Sequence, residues 1–307
     1  MISEKLCIIV SQLATGVMAW WMFHSLLREN AEKRWLTFAG TILYMLLPWH
    51  VNIVRNRIGW TQIMIWMLVP FLVTMMIRIK KASSRMERLI YGALAAVSMG
   101  IIGRKDGVAY LILLLLLVIA GISEREWRYP LVGIAGMLLA YPTFYVWKYW
   151  LFDGAFAESG LEYASIMEQG YSVGSLFATY FYRDGNPGMG ILLSGCLMFL
   201  IYLRFVKGRK TDNRKDDIWL GVAALLTIMS LRYFPWDFVQ RLGIHMLGLV
   251  TLIRTPAVFF GYAQIVLCIW GVDKCGELLQ AAEMERNERN EGIEVCDVEE
   301  DRQDLVG

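Results

Sequence analysis

Nine apolar blocks follow one another along this chain, and most have the length of a membrane-crossing helix. They lie near residues 6–27, 35–53, 59–79, 89–103, 106–123, 129–149, 188–206, 217–232 and 244–272. A helix needs about 20 apolar residues to cross a hydrocarbon core of about 30 Å. The apolar residues come as long blocks rather than amphipathic stripes. They make up 57% of the 307 residues, against 19% charged, and the mean hydropathy is +0.45. A soluble domain would show about 45–50% and about 25%. The expected fold is therefore all-α: a polytopic transmembrane bundle of about nine spans over residues 1–272, with an external interfacial segment and an acidic tail over 273–307.

Two blocks depart from the simple pattern. The fourth is short and meets the fifth through Gly103-Arg104-Lys105-Asp106-Gly107, which reads as a tight charged turn. The ninth is long and contains Pro256, so it can form two half-helices. Helix breaks at membrane depth are tolerated where they line a cavity or are buried in protein.

Basic residues give the orientation, because cytoplasmic connections are enriched in Lys and Arg. The odd-numbered connections carry 16: Arg28, Lys33 and Arg34; Arg78, Lys80, Lys81, Arg85 and Arg88; Arg125 and Arg128; Arg204, Lys207, Arg209, Lys210, Arg214 and Lys215. The even-numbered ones carry 8: Arg55, Arg57, Arg104, Lys105, Lys148, Arg183, Arg232 and Arg241. The odd connections are thus expected in the cytoplasm, with the N-terminus outside and the C-terminus inside. An N-terminus outside, with no basic leader, suggests a span preceding this chain. The tail has a net charge of −8 and reads as solvated, its first half a short surface helix and the rest disordered. The longest external segment, 149–187, mixes acids, aromatics, Gly and Pro. It reads as an interfacial stretch followed by a turn.

Two Pro-Trp pairs stand where outward-going helices leave the membrane in this topology. One is LLPWHVNIVRNRIGW, in which Pro48-Trp49-His50 precedes Arg55 and Arg57. The other is RYFPWDFVQRLG, in which Pro235-Trp236-Asp237 precedes Arg241. Each can be an interfacial anchor with snorkelling arginines, or the two together can border one external cavity. Ionisable residues in or beside spans are functional candidates: here Arg55, Arg57, Arg104, Lys105, Asp106, Arg232, Asp237, Arg241 and Arg254. Arg254 lies deep in an apolar block, two residues before Pro256. Its partner is either a lipid phosphate, which a guanidinium binds bidentately, or Asp237 in a helix-joining pair. No nucleotide-binding loop, zinc-protease motif or hydrolase elbow is present. The three histidines and five cysteines have no metal-ligand spacing, the basic loops are membrane flanks rather than nucleic-acid patches, and no cofactor is indicated.

The run from Thr41 to Arg78 resembles a segment of bacterial GT-C-type integral membrane proteins, the YfhO-like group. Tyr44, Pro48, Trp49, His50, Arg55 or Arg57, Gly59 and Pro70 fall on its pattern. RYFPWDF resembles the group's Phe-Pro-Trp segment, LIRTPAVFF its second such segment, and GSLFATYFYRDGNPGMGILL its external stretch before the next span. Trp60 replaces a glutamate of the pattern, Ala257 and Val258 replace Trp and Arg, and Arg254 stands at a Gln position. The family's acidic loop after its first span has no counterpart, so the chain is expected to lack an N-terminal span and loop, and with them that family's usual catalytic acids.

The resemblance implies transfer of a sugar from a polyprenyl-phosphate donor to a cell-envelope acceptor at the outer face of a bacterial plasma membrane. Asp237 and Asp184 are then the candidate bases. His50, Arg55, Arg57, Trp236, Arg241 and Arg254 are the candidate substrate contacts, the arginines facing the lipid phosphate. The other reading is a non-enzymatic multi-pass protein: a transporter, a flippase-like carrier or a structural subunit, to which broken helices and midplane charges are equally suited. Membrane lipids are partners in both.

Overall fold

The computed structural model describes the backbone of residues 2–27, 31–55, 60–152, 170–178, 188–207, 214–235 and 256–304. Side-chain surroundings are described for 6, 8–27, 34–54, 62–140, 170–178, 188–190, 194–202, 215–235 and 256–283. The described chain is mostly helical, with ten helices, one short helical turn and no strand among the described residues. The helices are α1 (Ile2–Leu26), α2 (Ala31–Met45), α3 (Pro48–Arg55), α4 (Trp60–Lys81), α5 (Arg85–Lys105), α6 (Gly107–Glu124), α7 (Arg128–Phe152), α8 (Gly190–Lys207), α9 (Arg214–Met229) and α10 (Val258–Asp304). The short turn is Val173–Leu176, whose amide at Ser175 is capped by the Ser172 hydroxyl at 3.1 Å.

Among the described residues, four segments are long and apolar enough to cross a membrane: Gln62–Lys81, Arg85–Lys105, Gly107–Glu124 and Val258–Glu283. A fifth arises if Arg34–Met45 and Pro48–Val54, bent by 53°, count as one broken span. The expected second span is thus interrupted at Leu46–Leu47, where Pro48 lacks the N–H that would continue α2 and instead starts α3. The backbone of the expected ninth span is described only from Pro256 onward. The boundary placed at residue 272 falls inside α10, whose helix runs on to Asp304.

On α5 the inward face is mostly small, with Ala95, Ala96, Ser98, Gly100 and Gly103 buried beside Met99 and Ile102, while Met86, Leu89, Ile90, Leu94, Val97 and Ile101 are exposed along one stripe. On α1 a stripe from Leu6 through Leu13 to Val17 is likewise exposed. Contiguous apolar stripes of this size fit a hydrocarbon surround, and small inward residues let helix backbones approach, as in membrane bundles. The closest packing joins α5 to α7, α1 to α4, α4 to α5 and α9 to α10. Between α5 and α7, Gly100 and Gly103 face Gly136, Leu139 and Ala140.

The charged turn between the fourth and fifth blocks is a single residue. Asp106 ends α5, with its N–H on the Ile102 carbonyl, and caps α6, its Oδ1 accepting from the Ala109 N–H at 3.0 Å. Its other oxygen accepts from Gln62 Nε2 at 2.7 Å, tying the joint to α4. The preceding helix starts with a capping box. The Ser84 hydroxyl accepts from the Glu87 N–H at 3.1 Å, and the Glu87 carboxylate accepts from the Ser84 N–H.

Three buried tyrosines cross-link helices through backbone carbonyls: Tyr44 to Trp66, Tyr110 to Gly133 and Tyr129 to Met76, at 2.9, 2.6 and 3.1 Å. The first has a clear origin. Pro70 sits inside α4 and has no N–H for the carbonyl four residues earlier, which is that of Trp66. The Tyr44 hydroxyl supplies the missing donor. Tyr44→Phe is expected to cost about 1–3 kcal/mol by leaving that carbonyl unpaired. In a Pro70→Ala background, residue 70 regains its N–H and the cost should fall by at least half. Thermal unfolding of the four proteins in detergent, treated as a double-mutant cycle, checks this, and an equal Tyr44→Phe penalty in both backgrounds would refute it.

Candidate functional site

Pro48-Trp49-His50 forms the first turn of α3 and is buried: Trp49 is 8% exposed and His50 is 1%. The Trp49 ring lies flat against α10 at Gly261, where a Cβ would stand 2.5 Å from the Trp49 Cδ1. Only glycine leaves room there. One turn further along α10, the Gln264 side-chain oxygen accepts from the Trp49 N–H at 3.1 Å. The His50 ring stacks on Trp66 of α4, with centroids 5.4 Å apart and planes 14° apart, and Tyr44 packs beside both. His50 Nδ1 lies 2.9 Å from the Met45 carbonyl. A carbonyl only accepts, so Nδ1 carries the proton, and in the neutral ring Nε2 is left as an acceptor.

Three polar atoms of this cluster are buried without a hydrogen-bond partner among the described residues: His50 Nε2, Trp66 Nε1 and Gln264 Nε2. They make one acceptor and two donors. Each unmatched buried group costs about 1–3 kcal/mol, so a cluster of three is a feature to explain rather than incidental packing.

Of the second Pro-Trp stretch, Arg232 to Pro235 are described, and Arg232 is tied by its backbone to Tyr171. Arg232, three residues before Pro235, donates its N–H to the Tyr171 carbonyl at 3.0 Å, and the Tyr171 N–H donates to Ser230 at 2.9 Å. Tyr171 in turn packs edge-on against Phe260 of α10, with centroids 4.9 Å apart. Phe260 precedes the Gly261 on which Trp49 rests. Trp49 therefore rests on the first turn of α10, and Arg232, at the start of the second stretch, is linked to that turn through Tyr171, while that stretch from Trp236 onward lies outside the described residues. The Arg232 guanidinium lies over the Tyr233 ring at 4.8 Å and contacts its hydroxyl.

Of the site residues expected from sequence, His50 is placed in this cluster. Arg55 is the last residue of α3, with its side chain outside the description. Arg57, Asp184, Trp236, Asp237, Arg241 and Arg254 lie outside the described residues. Sequence reasoning passed over Trp66, Gln264 and Tyr171. Two of them carried a usable signal: Gln264 is a polar residue within an apolar block, and Trp66 is an indole away from the interfacial positions that tryptophan prefers.

Along the second half of α4, from Val69 to Lys81, a partly open cavity of about 610 Å³ lies between α4, α6, α9 and α10. That is within the range of pockets that hold one small ligand. Its body is apolar, walled by residues such as Leu72, Leu113 and Val266. One end is lined by charged residues, Lys80, Glu124, Lys215 and Lys274 among them.

A scan against protein-family models and searches of curated proteins and of solved structures give no match for this chain.

Proposed function

We propose that this chain is a multi-pass protein of a bacterial plasma membrane, with about nine spans and its N-terminus outside. In this reading it transfers a sugar from a polyprenyl-phosphate donor to a cell-envelope acceptor in the manner of GT-C proteins. The observation that supports this is the packing of Pro48-Trp49-His50 against α10 and α4, where His50 Nε2, Trp66 Nε1 and Gln264 Nε2 are buried without a hydrogen-bond partner among the described residues. One acceptor and two donors beside aromatic rings suit a hydroxyl-bearing ligand such as a sugar, since a hydroxyl both donates and accepts. Asp237 or Asp184 then removes the proton of the acceptor hydroxyl. Arg254, Arg241, Arg55 and Arg57 offset the charge on the departing lipid phosphate, and Trp236 completes the rim.

General-base contributions are typically 10²–10⁴-fold. Asp237→Ala and Arg254→Ala, expressed at wild-type level in the membrane, are therefore expected to lower incorporation of the sugar into envelope glycan by about a hundredfold or more. Unchanged envelope glycan composition in both variants sinks the assignment. The second reading, a lipid carrier without transferase activity, is favoured by the apolar cavity along the second half of α4. It gains if glycan is unchanged while lipid distribution across the membrane shifts.

A further inference from the structure

The charged end of the large cavity is built as two ion triads. Glu124, the last residue of α6, pairs with Lys80 of α4 and with Lys215 of α9, the latter at 2.9 Å. Beside it, Lys274 of α10 pairs with Asp216 of α9 and Glu277 of α10, each at 2.5 Å. The first triad has two cations and one anion, so it nets +1. The second has one cation and two anions, so it nets −1. Lys215 and Asp216 are neighbours in sequence, so the two triads stand side by side. All six residues line the cavity.

The rest of the lining is hydrocarbon-like. Along α10 the apolar part runs from Tyr262 to Trp270, about 12 Å at 1.5 Å per residue, and the charged part from Asp273 to Glu277. Trp270 marks the change from apolar wall to charge, its indole N–H donating to Asp216 Oδ1 at 3.2 Å. The cavity is partly open to its surroundings rather than a closed void. A cavity of about 610 Å³ with apolar walls is poorly suited to water, which needs two to four polar partners for each molecule. In a bilayer the available filling is a hydrocarbon chain.

We infer that this cavity holds one chain of a zwitterionic phospholipid, with its phosphate at the Lys80–Glu124–Lys215 triad and its ammonium at the Asp216–Lys274–Glu277 triad. Charge decides the headgroup. Lys81 and Asp273 also line the cavity, one charge of each sign, so the lining holds four cations and four anions, and a lipid with a bare phosphate would satisfy the first triad but meet the net-negative second triad. A phosphoethanolamine group presents one charge of each sign, matching both triads. This site is separate from the His50 cluster and does not rest on the transferase reading.

The test is lipid retention by the full chain. Protein purified in mild detergent is stripped of lipid and exchanged against phosphatidylethanolamine, phosphatidylglycerol or a polyprenyl phosphate, and bound lipid is counted by native mass spectrometry. Wild-type protein is expected to keep one phosphatidylethanolamine in preference to phosphatidylglycerol by about fivefold, the scale of one interfacial charge. Glu277→Gln removes the net negative charge of the second triad and should abolish that preference. Lys215→Gln should weaken retention of both phospholipids by about fivefold. Leu113→Trp, which fills the cavity, should remove the bound lipid. If it does not fold, the two charge variants carry the test. Preference for phosphatidylglycerol or the polyprenyl phosphate, equal retention of all three lipids, no retained lipid, or an unaltered preference in Glu277→Gln would each overturn the proposal.

Discussion

Gly136→Leu is expected to prevent the protein from accumulating as a monodisperse species. Gly136 lies on α7 where it crosses α5, and a Cβ there would stand 2.5 Å from the Cβ of Met99, 3.2 Å from the Ala96 carbonyl and 3.3 Å from the Gly100 N–H. Two of these three neighbours are helix backbone and cannot rotate away. The first atom of any side chain therefore forces the helices apart, which also removes Gly100 from Leu139 and Gly103 from Ala140. Overpacking in a well-packed core typically costs about 1–3 kcal/mol. Here it strikes the most closely packed helix pair among the described residues, where in lipid dispersion between close backbones takes the place of the hydrophobic effect. Gly136→Ala should fold with a lowered melting temperature, and Gly136→Leu should aggregate or be degraded. Fluorescence-detected size exclusion followed by thermal unfolding reads both. A leucine variant with wild-type yield and melting temperature would mean that α5 and α7 do not meet at this point.

Asp106→Ala is expected to lower stability by about 2–4 kcal/mol, the sum of a lost helix cap and a lost charge-assisted hydrogen bond. One carboxylate does two jobs. It caps α6 through Ala109, and it accepts from Gln62 of α4 at 2.7 Å. Alanine removes both and leaves the Ala109 N–H and the Gln62 amide without that acceptor. Asparagine is also a good N-cap, so Asp106→Asn should recover more than half of the loss. Thermal unfolding in one detergent at one salt concentration measures the series. If alanine and asparagine are equally harmful, the effect comes from charge alone and the capping role is wrong.

The helical class could be read directly, because a long apolar block has few alternatives in lipid. The expected blocks at 59–79, 89–103 and 106–123 lie within or beside α4, α5 and α6, and the turn at Asp106 has the tightness its charged spacing implies. The break in the second block was marked by Pro48 but was read as a helix end at the membrane surface. In the fold it is a bend of 53° that carries Trp49 and His50 inward against α10 and α4. Hydropathy cannot separate these outcomes, since both place an aromatic and a proline at the end of an apolar run.

The candidate site was legible in part. His50 stood out as a polar residue after Pro-Trp, whereas Gln264 and Trp66 became site residues only because α3 and α4 bring them beside it. The ion triads were further from view. Glu124 lies 44 residues from Lys80 and 91 from Lys215, and each residue alone reads as an ordinary charged flank of a span.

The sequence by itself determined that the chain is helical and where its long apolar helices α4, α5 and α6 lie. Those properties depend on local hydrogen bonding and on hydrophobic length, which neighbouring residues set. The tertiary structure alone decided which polar atoms are left unmatched around His50, and which charges share Glu124. Both are outcomes of helix contact between residues far apart in the chain, and the small residues that permit such contact, Gly136 and Gly261 above all, have no side chain to indicate which partner each will meet.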